Sequence, residues 1–155
     1  MKAPLRPATP DDLPAIASLQ LASARAAFAH IGPVDRLGPR DWAADLAAAA
    51  TALVAVSEAG DEVVGFAFVG GCELQFLYTH PRVWGAGAGR ALLAAAEDAL
   101  RNAGCDEAFV YTEERNERPL RVYAAAGWEP DGGVKERDWL GVPIRELRLV
   151  KRLRE

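Results

Sequence analysis

Three glycines at alternate positions, Gly85, Gly87 and Gly89, follow a strand-like run and open a strongly helical segment, Arg90 to Asn102. Without Cβ atoms there, an anion can approach the backbone. The amides of the loop Gly85-Ala86-Gly87-Ala88-Gly89 and of the helix's first turn would converge on it, helped by the positive end of the helix dipole. Such a cradle suits a pyrophosphate. A P-loop is excluded, because no Gly-Lys-Ser/Thr follows to reach terminal phosphates and magnesium. A Rossmann fingerprint fits poorly, since the pattern is G-x-G-x-G. Glu113 near the end of the next strand could act as its ribose ligand, but the chain is too short for the remaining strands. A plain glycine-rich turn has the same composition, so context must decide.

The elements that would position this loop can be followed along the chain. Leu5 to Pro7 reads as a short first strand. Thr9-Pro10-Asp11-Asp12 supplies an N-cap hydroxyl, a proline at N1 and first-turn acids for a helix reaching about Phe28, with Pro14 kinking it or setting its first turn apart. His30 to Pro39 is a loop, and a second helix covers Arg40 to Ala50. Leu53 to Val56 and Val63 to Val69 form a hairpin through Glu58-Ala59-Gly60-Asp61. Gly70-Gly71 leads to a fourth strand, Cys72 to Tyr78, with Cys72, Leu74 and Phe76 on one face and Glu73 and Gln75 on the other. After the glycine loop and its helix come a strand at Glu107 to Thr112 and a helix at Glu117 to Ala126 closed by Gly127. Two strands, Trp128 to Val134 and Ile144 to Leu153, end the chain. The order is that of one α+β domain on a mixed sheet, spanning residues 1–155.

Composition narrows the classes. The 155 residues are half hydrophobic, as in an ordinary globular domain. A net charge of -4 repels phosphate backbones, which argues against nucleic acid and mildly favours cationic small molecules. Pro, Asp and Gln interrupt the N-terminal stretch, so no secretory signal is read there, and the apolar run Trp42 to Val56 is too short for a membrane span. The two cysteines, Cys72 and Cys105, lie far apart without metal-ligand spacing. Neither a zinc site nor a disulfide framework is indicated, and a reduced cytoplasmic setting is expected.

The stretch Leu77-Tyr78-Thr79-His80-Pro81-Arg82-Val83-Trp84-Gly85-Ala86-Gly87-Ala88-Gly89-Arg90-Ala91-Leu92-Leu93 resembles the strand, Q/R-x-x-G-x-G/A loop and helix of GNAT N-acetyltransferases. A second stretch, Asn116-Glu117-Arg118-Pro119 through Val122-Tyr123 to Gly127-Trp128, is similar to that family's N-x-x-A-x-x-F-Y-x-x-x-G-F signature. Trp84 departs from the usual Gln or Arg, and Pro119 from a common Ala in a first helical turn, where proline is tolerated. The resemblance covers nearly the whole chain and implies a mixed, mostly antiparallel sheet of about seven strands flanked by about four helices. It implies acetyl-CoA as co-substrate and a primary amine of a small molecule or peptide as acceptor. A homodimer is expected from family habit.

By that resemblance, backbone groups of Leu77, Tyr78 and Thr79 pair with the pantetheine arm. The cofactor loop is Trp84, Gly85, Ala86, Gly87, Ala88, Gly89 and Arg90, with the amides from Gly85 to Arg90 holding the diphosphate, and Asn116 lies near the thioester or caps its helix. Acyl transfer needs a neutral amine, and a lysine-like amine has a pKa of about 10.4, so a base must help. Glu73 is the candidate, by an offset from the loop similar to that of the family's glutamate base; its other readings are a solvated strand residue or a carboxylate that attracts a cationic amine. Tyr123 matches the tyrosine that protonates the departing thiolate, and is otherwise an ordinary half-buried aromatic. Phe28, His30, Ile31 and Asp35 lie where the family's acceptor site often is, and His80 serves a turn. A domain that binds acyl-CoA without turning it over, or a nucleotide-binding module, would be the rival readings.

Overall fold

Runs of β-branched and aromatic residues commit the middle of the chain to three antiparallel strands: β2 (Thr51–Val56), β3 (Val63–Gly70) and β4 (Glu73–Thr79). The computed structural model describes residues 4–38, 40–60 and 62–154. Pro39 and Asp61, the last residues of the expected loop and hairpin turn, lie outside them. With β1 (Leu5–Pro7), β5 (Glu107–Glu113), β6 (Glu129–Trp139) and β7 (Val142–Arg152), these strands form one sheet of seven, ordered β1-β2-β3-β4-β5-β7-β6. Its neighbours are antiparallel except β4 and β5. The last two strands run longer than the sequence pattern indicates, because the turn between them is tight and their ladder continues to Trp139↔Val142.

The helices are α1 (Leu13–Phe28), α2 (Trp42–Ala48), α3 (Ala88–Asn102) and α4 (Glu117–Ala125). Pro14 does set a first turn apart: residues Pro10–Asp12 are a 3-10 turn whose Asp12 carboxylate accepts from the Thr9 amide and from both Nη groups of Arg6. On one face of the sheet, α3 sinks Leu92, Leu93, Ala96 and Leu100 against Ala67, Val69, Leu74 and Ala108. Truncating Leu92 to Ala would cost about 2–5 kcal/mol. The approach is tight, since a Cβ at Gly65 would stand 2.8 Å from Leu92 Cδ1. On the other face Ile16, Leu19 and Trp42 pack on Val54, Val56, Phe66 and Phe68.

Two expectations are corrected here. Phe68 pairs with Phe76 but Val69 with Leu74, so Gln75 is an extra residue, a β-bulge that reverses the alternation. Leu74 therefore faces α3 while Phe76 faces α1 and α2. Glu73, opposite Gly70, shares the side of Phe76 and Tyr78, because Phe66, Phe68 and Gly70 alternate onto that side of β3. The second correction is chemical. Cys72 and Cys105 form a disulfide with their Cα atoms 5.7 Å apart. Separation in sequence is no guide, because the crossover through α3 returns the chain beside the start of β4.

Candidate active site

The parallel pair β4–β5 holds together only at its beginning. Glu73↔Phe109 is the ladder pair among the described residues, with the Phe109 amide donating to Cys72 O at 3.1 Å. Beyond it the strands part, and cavities open along the gap.

The first cavity, of about 210 Å³, lies between the end of β4, the glycine loop and α4. Leu77, Tyr78, Thr79, Trp84, Gly85, Gly87, Gly89, Arg90, Asn116 and Tyr123 all line it. Gly85 (φ 84°) and Gly87 (φ 99°) take left-handed backbone that other residues enter at a cost, and Gly87 is the N-cap of α3. The amides of Gly87, Ala88, Gly89 and Arg90 have no backbone acceptor among the described residues, as the start of a helix requires. Ala86 differs: its amide donates to Val83 O at 3.0 Å and is spent in the turn. Neither Ala86 nor Ala88 lines the cavity, and the Ala88 side chain is buried in the core.

Trp84 is built in by two contacts. Its Nε1 donates to Thr79 O at 3.2 Å, and the Arg118 guanidinium lies 4.4 Å from its ring centroid. Arg118 also lines the cavity, so a cation from α4 is brought to the loop where the motif's usual Gln or Arg is missing.

The second cavity, of about 370 Å³, opens between β4 and β5 on the α1 side and reaches β6 and β7. Phe28, Leu77, Tyr78, Asn116, Pro119 and Tyr123 line both cavities. Asn116 is the N-cap of α4 but its side chain makes no capping bond, which leaves the amide for the cavities. The Tyr123 phenol is buried, not half-buried, and burial above all, with Tyr78 beside it, pushes its pKa well above the ordinary range. It keeps its proton at any working pH. The Tyr78 phenol is likewise raised, mainly by burial, while Arg40, a hydrogen bond with Gln20 and Arg137 pull it down.

Glu73 lines neither of these two cavities. Burial raises its carboxyl pKa, Lys135 opposes this, and Glu146, a wall of the second cavity, adds to it. Glu113 is spoken for. Burial alone would raise it, but the Arg115 side chain and the Arg115 and Arg145 amides together hold it below the usual carboxylate range. Phe28 and Ile31 line the second cavity. His30 instead lies within 3.0 Å of Arg115 O, and Asp35 lines neither cavity. His80 serves its turn, Nδ1 accepting from the Arg82 amide.

A family model described as acetyltransferase (GNAT) family matches residues 14–128. The chain belongs to the GNAT acetyltransferase family. Its fold is similar to the crystal structure of a GCN5-related N-acetyltransferase from Rhodopseudomonas palustris, with TM-score 0.83, 21% identity, and 98% and 96% of the two chains covered. It is similar to apo YjaB from Escherichia coli in solution, with TM-score 0.72, 26% identity and 97% of each chain covered. A GNAT superfamily phosphinothricin acetyltransferase from Sinorhizobium meliloti, in complex with AcCoA, gives TM-score 0.80 at 19% identity over 100% of this chain and 90% of that one. No curated protein matches this chain.

Within this GNAT domain, sequence reasoning missed the walls contributed by Arg40, Arg118, Arg137, Glu146 and the Tyr78 side chain. No spacing marks them, because the sheet gap assembles them from separate elements.

Proposed function

We propose that this protein is an N-acetyltransferase, which moves the acetyl group of acetyl-CoA to a primary amine by direct attack on the thioester. One observation carries the reading: a cavity built on the glycine loop and a second cavity share the walls Leu77, Tyr78, Asn116 and Tyr123. A donor and an acceptor entering separately would meet there, and a domain that merely bound acyl-CoA would have no use for the second cavity. Acetyl-CoA as donor fits the family, and it is bound in the S. meliloti relative of the same fold.

In this reading Leu77 to Thr79 offer backbone to the pantetheine arm, and the amides of Gly85 and of Gly87 to Arg90 hold the diphosphate. Asn116 contacts the cofactor near the thioester. The amine nitrogen attacks the carbonyl carbon, a C–N bond forms, and the C–S bond breaks. Glu73 takes the first proton, that of the ammonium form, through water or by way of Glu146, since it does not itself line the cavities, and the nitrogen's second proton is released after the C–N bond has formed. Tyr123 steadies the departing thiolate by donating a hydrogen bond. A phenol raised so far above a thiol's pKa of about 8.5 donates a bond more readily than its proton, so the thiolate's proton comes finally from the attacking nitrogen or from water.

Acetyl-CoA as donor favours a cytoplasmic setting, where a reducing environment would tend to open the Cys72–Cys105 bond. Among the described residues no helix is long and apolar enough to cross a membrane. Calorimetry with acetyl-CoA, NAD and ATP tests the donor. Selective binding of acetyl-CoA is expected, and equal or tighter binding of NAD or ATP would overturn it.

A further inference from the structure

The second cavity has a charge pattern that the acetyl-transfer reading does not require. Arg40, just before α2, and Arg137, on β6, both line it from different sides of the fold. Each is held in place without being fully used. Arg137 donates through Nε to Glu146 at 2.9 Å, and its Nη1 and Nη2 make no hydrogen bond among the described residues. Arg40 donates through Nε and Nη2 to Asp45, its guanidinium stacks 4.8 Å from the Phe76 centroid, and Nη1 makes no hydrogen bond among the described residues. The wall carboxylates are engaged as well: Glu146 by Arg137, and Glu113 by Arg115 and two backbone amides.

Resting on the acetyl-transfer reading, we propose that Arg40 and Arg137 form an anion subsite, and that the acceptor is a small amino acid-like molecule whose primary amine stands close to a carboxylate or similar acid group. Planar guanidinium forks suit such a group. The short separation follows from the shared walls. Arg40, Arg137 and Tyr78 line the second cavity, and Tyr78 and Tyr123 line the first as well, so an acid held by the arginines sits in the same cavity that adjoins the place of acyl transfer. Polyamines and lysine side chains bring no acid for the guanidinium N–H groups left over on these arginines. This reverses the slight preference for cationic acceptors that net charge alone suggests, because fields inside a cavity are set by its nearest walls.

Thiol release should be compared across matched acceptors: amino acids, their carboxamides, and the amines left when the carboxyl is removed. The wild-type protein is expected to favour the acids. Arg137→Gln and Arg40→Gln should each raise the acceptor KM for acids by about ten- to hundredfold, the weight of a charged hydrogen bond, and erase the preference over carboxamides. Arg137→Lys should recover part of it. Acetyl-CoA affinity should stay unchanged in all three, which also shows that they fold. Release with carboxamides or plain amines as good as with acids would overturn the subsite and leave the transferase standing. No release with any of these acceptors would defeat both.

Discussion

Asn116 and Tyr123 lie on one face of α4, two helical turns apart, and both reach the place where the two cavities adjoin. In the proposed mechanism one helix therefore carries both the cofactor contact and the thiolate partner in fixed relation. Tyr123→Phe deletes the hydroxyl and keeps the buried ring against Trp128, 5.8 Å away between centroids. Its kcat should fall about ten- to hundredfold with little change in acetyl-CoA affinity, because the bond strengthens only as charge develops on sulfur. Single-turnover kinetics beside calorimetry measure the two separately, and unchanged turnover would remove Tyr123 from the mechanism.

Glu73 should be visible in the pH profile. Burial raises its pKa, so as a base it works above that raised value and loses activity as pH falls through it. Glu73→Gln should lower the rate about tenfold at near-neutral pH, with the deficit closing toward pH of about 10, where amines lose their protons unaided. A variant whose profile parallels the wild type would show that Glu73 is not the base.

Arg118 stacks on Trp84 where the family motif usually has its own Gln or Arg. If it supplies the missing positive group, Arg118→Ala should weaken acetyl-CoA binding about tenfold, and the loss should shrink at high salt. Binding measured at two ionic strengths checks this.

The Cys72–Cys105 bond spans 33 residues of sequence, including the glycine loop and α3. Chain-entropy reasoning gives it about 3–4 kcal/mol. Cys72→Ser with Cys105→Ser, or reduction of the wild type, should lower Tm by roughly 10 °C. Scans with and without reductant measure it, and identical melting would contradict the bond.

Much of this was legible in the sequence. The caps, turns and periods that mark β1 to β4, α1 and α3 are local signals, and the two motifs lie in the loop before α3 and in α4, where short-range chemistry dictates the backbone. Gln75 shows what is not local: a bulge depends on the register with β3, and it decides which side Glu73 and Phe76 face. The disulfide likewise depends on a crossover, and Arg40 and Arg137 become neighbours of Tyr78 only once the gap between β4 and β5 is formed. The motif alone gives Ala86 an anion contact, whereas the turn preceding Gly87 consumes its amide.

The most direct test is amine-dependent release of free thiol from acetyl-CoA by the purified protein, with the acetylated product identified by mass. Release that requires an amine, and yields the N-acetyl compound, is the predicted result. Tight acetyl-CoA binding with no release for any amine would contradict the account and leave a domain that only binds its donor.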